Sequence, residues 1–402
     1  MLIDGVSSGS TVTCAANDTI IVRSVSTTQF KLSRIKYDGT AQVGGSTVVR
    51  SARTANTILA AADNGTLIDI TSGTFSQTFT AATTLGSGWF CYIRNSGTGD
   101  ITLDPNASET IDGLATYVMY GGETRLVQCT GTAFFSVVLS PFYRAFTASG
   151  TFTKPPGYST FDVEGWGGGG GGGGNYASNA GSHGGGGGGG YSHANILASV
   201  IGTTESVTIG AGGAAGSDAA GADGGNTTFS VLTAYGGGGG AVTGGHHGGG
   251  GGGGREKGAA GSGGQGGDFQ LLKIAGTDLV IYPGSPGVAA ANSGLGVGGA
   301  GVGLGGGGGG SQGTASAGGA GGSAHFGGGG GGGSGLSGYA GGVGGSSVYG
   351  GGGGGGGNGV STSATAGGTS KFGGAGGAGA ASNSGTSVAG TAPGGGGGAG
   401  SA

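Results

Sequence analysis

Charge is scarce in this chain. Its 402 residues carry 14 Lys and Arg against 18 Asp and Glu, a net charge of -4, and the basic residues are not clustered. Without a basic patch there is no electrostatic footprint for nucleic acid or for an anionic membrane surface. Long apolar runs are missing too. None approaches the roughly 18 residues needed to cross a bilayer, and the opening MLIDGVSSGSTV has neither a basic start nor a long apolar core. The chain is therefore expected to be soluble, made in a cytosol and not inserted in a membrane. Cysteine is limited to Cys14, Cys91 and Cys129, an odd set with no CxxC or His-partnered spacing; all three read as small buried apolar residues. Helical periodicity is absent, and this empties the many GxGxxG matches of meaning, because a dinucleotide site needs strand, motif, helix and a later acid.

What is present is glycine, and it is unevenly spread. Of 119 glycines, 16 fall in residues 1–150 and 103 in residues 151–402. Two regions with different physics follow. In the first, short β-type runs such as GTLIDIT, GWFCYIRN, GDITLDP, TYVMY, TRLVQCT and FFSVVLS are separated by turn residues. Several alternate in period two: in TRLVQCT, Leu126, Gln128 and Thr130 face one way and Val127 and Cys129 the other. This pattern predicts an antiparallel sandwich over 54–145. Three further strands, DTIIVRSV, FKLSRIKYDG and AQVGGSTVVR, predict a small β attachment module at 1–53, with VRSARTANTILAAADNG joining the two.

The segments TANTILAAADNGTLIDIT, LGSGWFCYIRNSGTGDITLDPNASETIDG and GGETRLVQCTGTAFFSVV resemble a β-domain recurrent in bacteriophage tail fibre proteins. Such modules are structural spacers that often trimerise, so the resemblance implies a homotrimer and attachment to other phage tail proteins. A second resemblance begins at FTASGTFTKPPGYSTFDVEGWGGGGGGGG and continues through ESVTIGAGG and NTTFSVLTAYGG. It is to the glycine-rich domain that many phage tail proteins carry.

Eight runs of five or more glycines begin at 167, 184, 236, 248, 305, 327, 350 and 394. Ordering eight glycines costs on the order of 10 kcal/mol or more with no side chain to bury, so one run alone cannot be folded. Many runs together can be. Lacking Cβ atoms, extended glycine chains in the polyproline II form lie backbone against backbone, and each N–H then finds a carbonyl on a neighbour for roughly 0.5–1.5 kcal/mol net. The runs from 305 recur about every 22 residues, three of them preceded by a ring, Phe326, Tyr349 or Phe372, as Trp166 and Tyr235 precede earlier runs. Up-and-down pairs of rods about 22 Å long are expected to form a slab at 146–402. The fold class predicted is thus all-β amino-terminal sandwich modules, then packed polyglycine II helices with short flanking strands and essentially no α-helix.

The slab should gather its rings at one end and the segments that follow the runs at the other. Polar, dissimilar loops on a rigid base suit recognition. The candidate contact residues are Asn175, Tyr176 and Asn179, His246 and His247, Arg255, Glu256 and Lys257, Gln312, Tyr339, Asn358 and Asn383. This layout is similar to the polyglycine sandwich of the distal adhesin of T-even-like phages. That resemblance implies a receptor-binding tail fibre tip in the virion, assembled in the bacterial cytoplasm, whose partner is an outer-membrane protein or glycan of the host.

Catalysis and metal binding are not expected. His183, His193, His246 and His247 have no Cys or carboxylate partner at ligand spacing, and adjacent histidines point apart in an extended chain. Asp162 and Glu164 share a strand face opposite Phe161 and Val163 and read as solvent-facing alternation. A purely structural wall or silk-like protein would lack the amino-terminal β region and the ring-led runs. A fibre-borne depolymerase would need two carboxylates in a β-rich groove, whereas the acidic residues of 151–402 are few and scattered.

Overall fold

The computed structural model describes residues 2–3, 19–24, 29–35, 48–174, 183–217, 219–242, 247–253, 257–260, 296–301, 306–310, 317–335, 339–357, 364–381 and 387–400. The chain divides into two compact units, Met1–Arg144 and Ala145–Ala402. No helix among the described residues is long and apolar enough to cross a membrane.

The first unit is built from strands in three sheets. β1 (Leu2–Ile3), β2 (Thr19–Ser24) and β3 (Gln29–Ile35) form one, in the order β1-β3-β2. β4 (Arg50–Arg53), β5 (Leu67–Ile70), β6 (Phe75–Thr78), β7 (Phe90–Asn95), β8 (Ile101–Asp104), β9 (Tyr117–Met119), β10 (Thr124–Cys129) and β11 (Phe134–Ser140) form the other two, ordered β11-β10-β7-β5-β4 and β6-β8-β9. The expected antiparallel arrangement is only half right. β4–β5, β5–β7 and β6–β8 pair in parallel. For β5–β7 and β6–β8 the cause is that successive strands β5, β6, β7 and β8 alternate between the two sheets, so each return to a sheet runs in the same direction as the last visit. Nor is the segment before Leu67 merely a connector: Arg50–Arg53 is an edge strand, and Leu59, fully buried, bridges to Phe79.

Period-two alternation builds the core. Ile68, Ile70, Cys91, Ile93, Val127 and Cys129 from one sheet meet Ile101, Leu103, Tyr117 and Met119 from the other. Turn residues match their conformations: Gly65 (φ 70°) follows Asn64, whose side chain accepts from the Phe90 N–H, and Asp112 and Gly113 both take positive φ. Burial pushes the Cys91 thiol above its ordinary range; Cys91 and Cys129 are buried and unbridged, and Cys14 lies outside the described residues. The α-helix here is a single turn, Ala82–Leu85.

One feature was not foreseen in the alternating pattern of TRLVQC. Arg125, on the same face as Val127, is buried with Glu123, its Nε donating to the carboxylate at 2.7 Å. The guanidinium lies 4.3 Å from the Tyr117 ring centre and donates to Ser136 Oγ at 2.7 Å, while the Tyr117 hydroxyl donates to Glu123.

The second unit opens as strands that become rods. β12 (Gly150–Thr153), β13 (Thr160–Trp166), β14 (Tyr191–Leu197), β15 (Thr204–Thr208), β16 (Thr227–Phe229) and β17 (Leu232–Ala234) make a four-stranded sheet, β12-β15-β16-β17, and the pair β13-β14. Phe152 anchors a small apolar core, 5.6 Å from Phe161 and 5.5 Å from Phe229 between ring centres. From it β13 runs straight into Gly167–Gly174, β14 begins directly after Gly184–Gly190, and β17 leads through Tyr235 into Gly236–Gly240.

The rods bond with the three-residue period of polyglycine II. Gly167, Gly170 and Gly173 donate to Gly190, Gly187 and Gly184, while Gly168, Gly171 and Gly174 donate to Gly225, Ala222 and Ala219. Rod 184–190 is completely enclosed. Its seven N–H groups reach three rods, 235–241, 326–332 and 394–397, and its carbonyls accept from three others, 167–173, 249–252 and 351–354. Six neighbours around one chain is hexagonal packing, and rods 327–333 and 350–357 are enclosed in the same way.

Two substitutions test these features. A Cβ at Gly170 would collide with the Gly238 carbonyl. Gly170→Val should therefore abolish the cooperative unfolding transition of the second unit in calorimetry and leave that of the first in place. Removing one partner of a buried ion pair costs roughly 3–5 kcal/mol, so Arg125→Ala should lower the stability of the first unit by about that amount in urea titration.

Candidate functional site

The rods have two chemically distinct ends. At one end the rings collect. Phe326 stacks on Tyr349 at 4.8 Å with 14° between planes, and Tyr349 on Phe372 at 4.9 Å and 19°. Tyr191 lies 5.3 Å from both Trp166 and Tyr349, and the Trp166 indole donates to the Tyr349 carbonyl at 2.8 Å. The ring spacing matches the roughly 4.8 Å between hydrogen-bonded chains, so each ring caps its own rod. The repeat is 23 residues and not the expected 22 or so: Phe326, Tyr349 and Phe372 follow it, as do the backbone bridges Ala324 to Ser347 and Ser347 to Ser370.

Tyr191 comes after its glycine run, not before it, yet it joins the stack because rod 184–190 runs the other way. Burial pushes its phenol well above the ordinary value, and the hydrogen bond to the Glu164 carboxylate adds to the shift. Asp162 and Glu164 are exposed on β13 opposite buried Phe161, as the alternation required, and Asp162 pairs with His193 at 2.6 Å in solvent.

At the other end the rods finish in a knot of backbone bonds that ties their termini together. Gly173 donates to Gly184, Ala241 to His247, Gly248 to Gly310, Gly318 to Ala340, Gly335 and Gly357 to Gly357 and His183 respectively, Gly379 to Thr365 and Val388 to Ala378. The described residues that flank 175–182, 243–246, 311–316, 336–338, 358–363 and 382–386 therefore all lie at this end. Of the candidate contacts, Asn175, Tyr176, Asn179, His246, Gln312, Asn358 and Asn383 belong to these segments and lie outside the described residues. Tyr339 is described there and is 43% exposed.

Two candidates are placed differently from expectation. His247 is buried, not an exposed contact: it is the residue that leads into rod 248–253, as buried His183 leads into rod 184–190. Lys257 is exposed but sits at the ring end, because rod 248–253 is parallel to 184–190 (Gly249 donates to Gly185 and Gly252 to Gly188) and the next residue, Gly258, donates to Gly236 beside Tyr235. Arg255 and Glu256 lie outside the described residues. The signal for reversal was in the sequence. Among the runs of five or more glycines, the large rings Trp166, Tyr235, Phe326 and Tyr349 lead into rods of one direction, whereas His183 and His247 lead into two reversed ones.

Residues 147–369, more than half of the chain, match the family model described as a glycine-rich domain. No curated protein and no solved structure matches the chain.

The Tyr191 shift carries a pH prediction. The folded state holds the neutral phenol, so this contribution is complete below the unfolded phenol pKa of about 10 and is lost as pH rises beyond it. The melting temperature of the second unit should fall above that pH, and Tyr191→Phe should make the fall shallower in a calorimetric pH series.

Proposed function

From the membership of this chain in the glycine-rich domain family, through residues 147–369, we propose that it is a phage tail fibre protein whose slab binds the bacterial surface. The observation that carries this is that the described residues flanking six separate segments of dissimilar sequence converge on one end of a single lattice. A base held by hexagonal backbone bonding loses little further entropy on binding, which favours affinity from modest contacts. The contacts are Tyr339 and the residues Asn175, Tyr176, Asn179, His246, Gln312, Asn358 and Asn383. The ring end, with Lys257, faces away from the receptor.

The receptor class is an outer-membrane protein or a surface glycan of the host. The first unit attaches to other tail proteins, and the fibre is a homotrimer. The action is binding, with no catalytic step and no cofactor.

Full-length protein in which residues 175–182 and 358–363 are replaced by Gly-Ser should lose cell binding by tenfold or more, about 1.4 kcal/mol, with the melting temperature of the slab unchanged. Unchanged binding would reject the loop end as the recognition surface and leave a structural fibre. Tyr339→Ala should weaken cell binding by about tenfold on its own, since exposed aromatics carry much of an interface's energy.

A further inference from the structure

Rods 184–190, 327–333 and 350–357 each have six neighbours, but rod 167–174 has five. It donates to rods 184–190 and 219–225 and accepts from 213–216, 237–240 and 397–400. Its remaining donor face consists of the N–H groups of Gly169 and Gly172. Both glycines are buried, and among the described residues no acceptor faces either N–H. Donor and acceptor neighbours alternate around an enclosed rod such as 184–190, which puts the sixth position between rods 210–216 and 394–400.

That position is an open groove one rod wide. A Cβ built at Gly212 meets nothing nearer than the Gly169 oxygen at 3.8 Å, and one at Gly397 nothing nearer than the Gly172 nitrogen at 3.2 Å, whereas in the enclosed rods it collides with a carbonyl. Gly212 is exposed and Gly397 half-buried, so the groove opens to solvent. On its other outer face the slab carries side chains on successive rods: Val297, Ala320, Val343 and Ala366, 23 residues apart, project outward, the two valines 62% and 49% exposed. Here the flanks keep glycine at Gly212 and Gly397, and the floor between them presents the Gly169 and Gly172 N–H groups.

The lattice states what fits. Donors three residues apart need acceptors about 9.3 Å apart along an extended chain, the repeat of a polyproline II segment, and the side facing rods 167–174 and 394–400 has room only for glycine. We propose that this groove takes a glycine-rich segment of a partner protein in the polyproline II form, which adds to the slab as one further rod. It is the polyglycine counterpart of strand addition to a sheet edge.

Residue-resolved amide hydrogen exchange on the full chain tests this, with a short synthetic peptide of repeated Gly-Gly-Ser as the probe. Without peptide, the Gly169 and Gly172 amides should exchange at least about tenfold faster than those of Gly168, Gly170 and Gly171, and saturating peptide should slow them by about as much. Gly212→Leu, for which the free protein has room, should abolish the peptide effect without changing the melting temperature; Ala300→Leu on the opposite face should not. Equal protection of all five amides without peptide, no slowing on peptide addition, or the same slowing in Gly212→Leu would each overturn the proposal.

Discussion

Each N–H of Gly184 to Gly190 reaches a carbonyl on one of three surrounding rods, and each rod is close enough to do this only because no Cβ stands between the backbones. This contact governs the second unit. A side chain on an enclosed rod would not merely crowd a neighbour; it would remove the bonds that replace an apolar core. The composition follows from that requirement, since side chains other than hydrogen are left to the outer faces, the rod ends and the connections. Collagen uses glycine once in three for one crowded axis. Here nearly every residue of an enclosed rod faces another backbone, so nearly every one is glycine.

Glycine rods have no side-chain features to set their register, and identical backbones could slide by three residues at little cost. The ends fix it. β13, β14 and β17 share a small apolar core around Phe152, Phe161 and Phe229 and pass directly into or out of three rods, so the first register is set by ordinary side-chain packing. The later repeats are held by the Phe326, Tyr349 and Phe372 stack and by hydroxyl bonds such as Ser347 Oγ to the Gly327 carbonyl and Ser370 Oγ to the Gly350 carbonyl, both 2.7 Å. Rod direction then decides which residues meet. His183 and His247 lead into the reversed rods, and this places Tyr191 among the rings and Lys257 beside Tyr235 instead of at the loop end.

The first unit reaches stability by the opposite route, a side-chain core between two sheets with a buried Arg125–Glu123 pair in its wall. Its strands were legible because alternation and turn residues such as Asn64–Gly65 and Asp112–Gly113 are local properties. The parallel pairing was not legible, because nothing local in LIDI or FCYIRN says which sheet the intervening strand visits. The burial of Arg125 was hidden for a related reason: alternation assigns its face, but its partners Glu123, Tyr117 and Ser136 come together only through the turn at Tyr120 and the pairing of β10 with β11.

By itself the sequence determined that residues 151–402 must fold collectively or not at all, that the rings leading into glycine runs gather at one rod end, and that the first region is strand-rich. These follow from the entropy of glycine, the length of its runs and the spacing of apolar residues, all of which are properties of short stretches. Only the tertiary structure decided the burial of His247, which rods lie beside one another, and that Gly169 and Gly172 of rod 167–174 are left without acceptors among the described residues. Those depend on contacts between backbones that are chemically identical. Where every segment reads glycine, the letters cannot say which one lies beside which, and the choice falls to the few side chains at the ends.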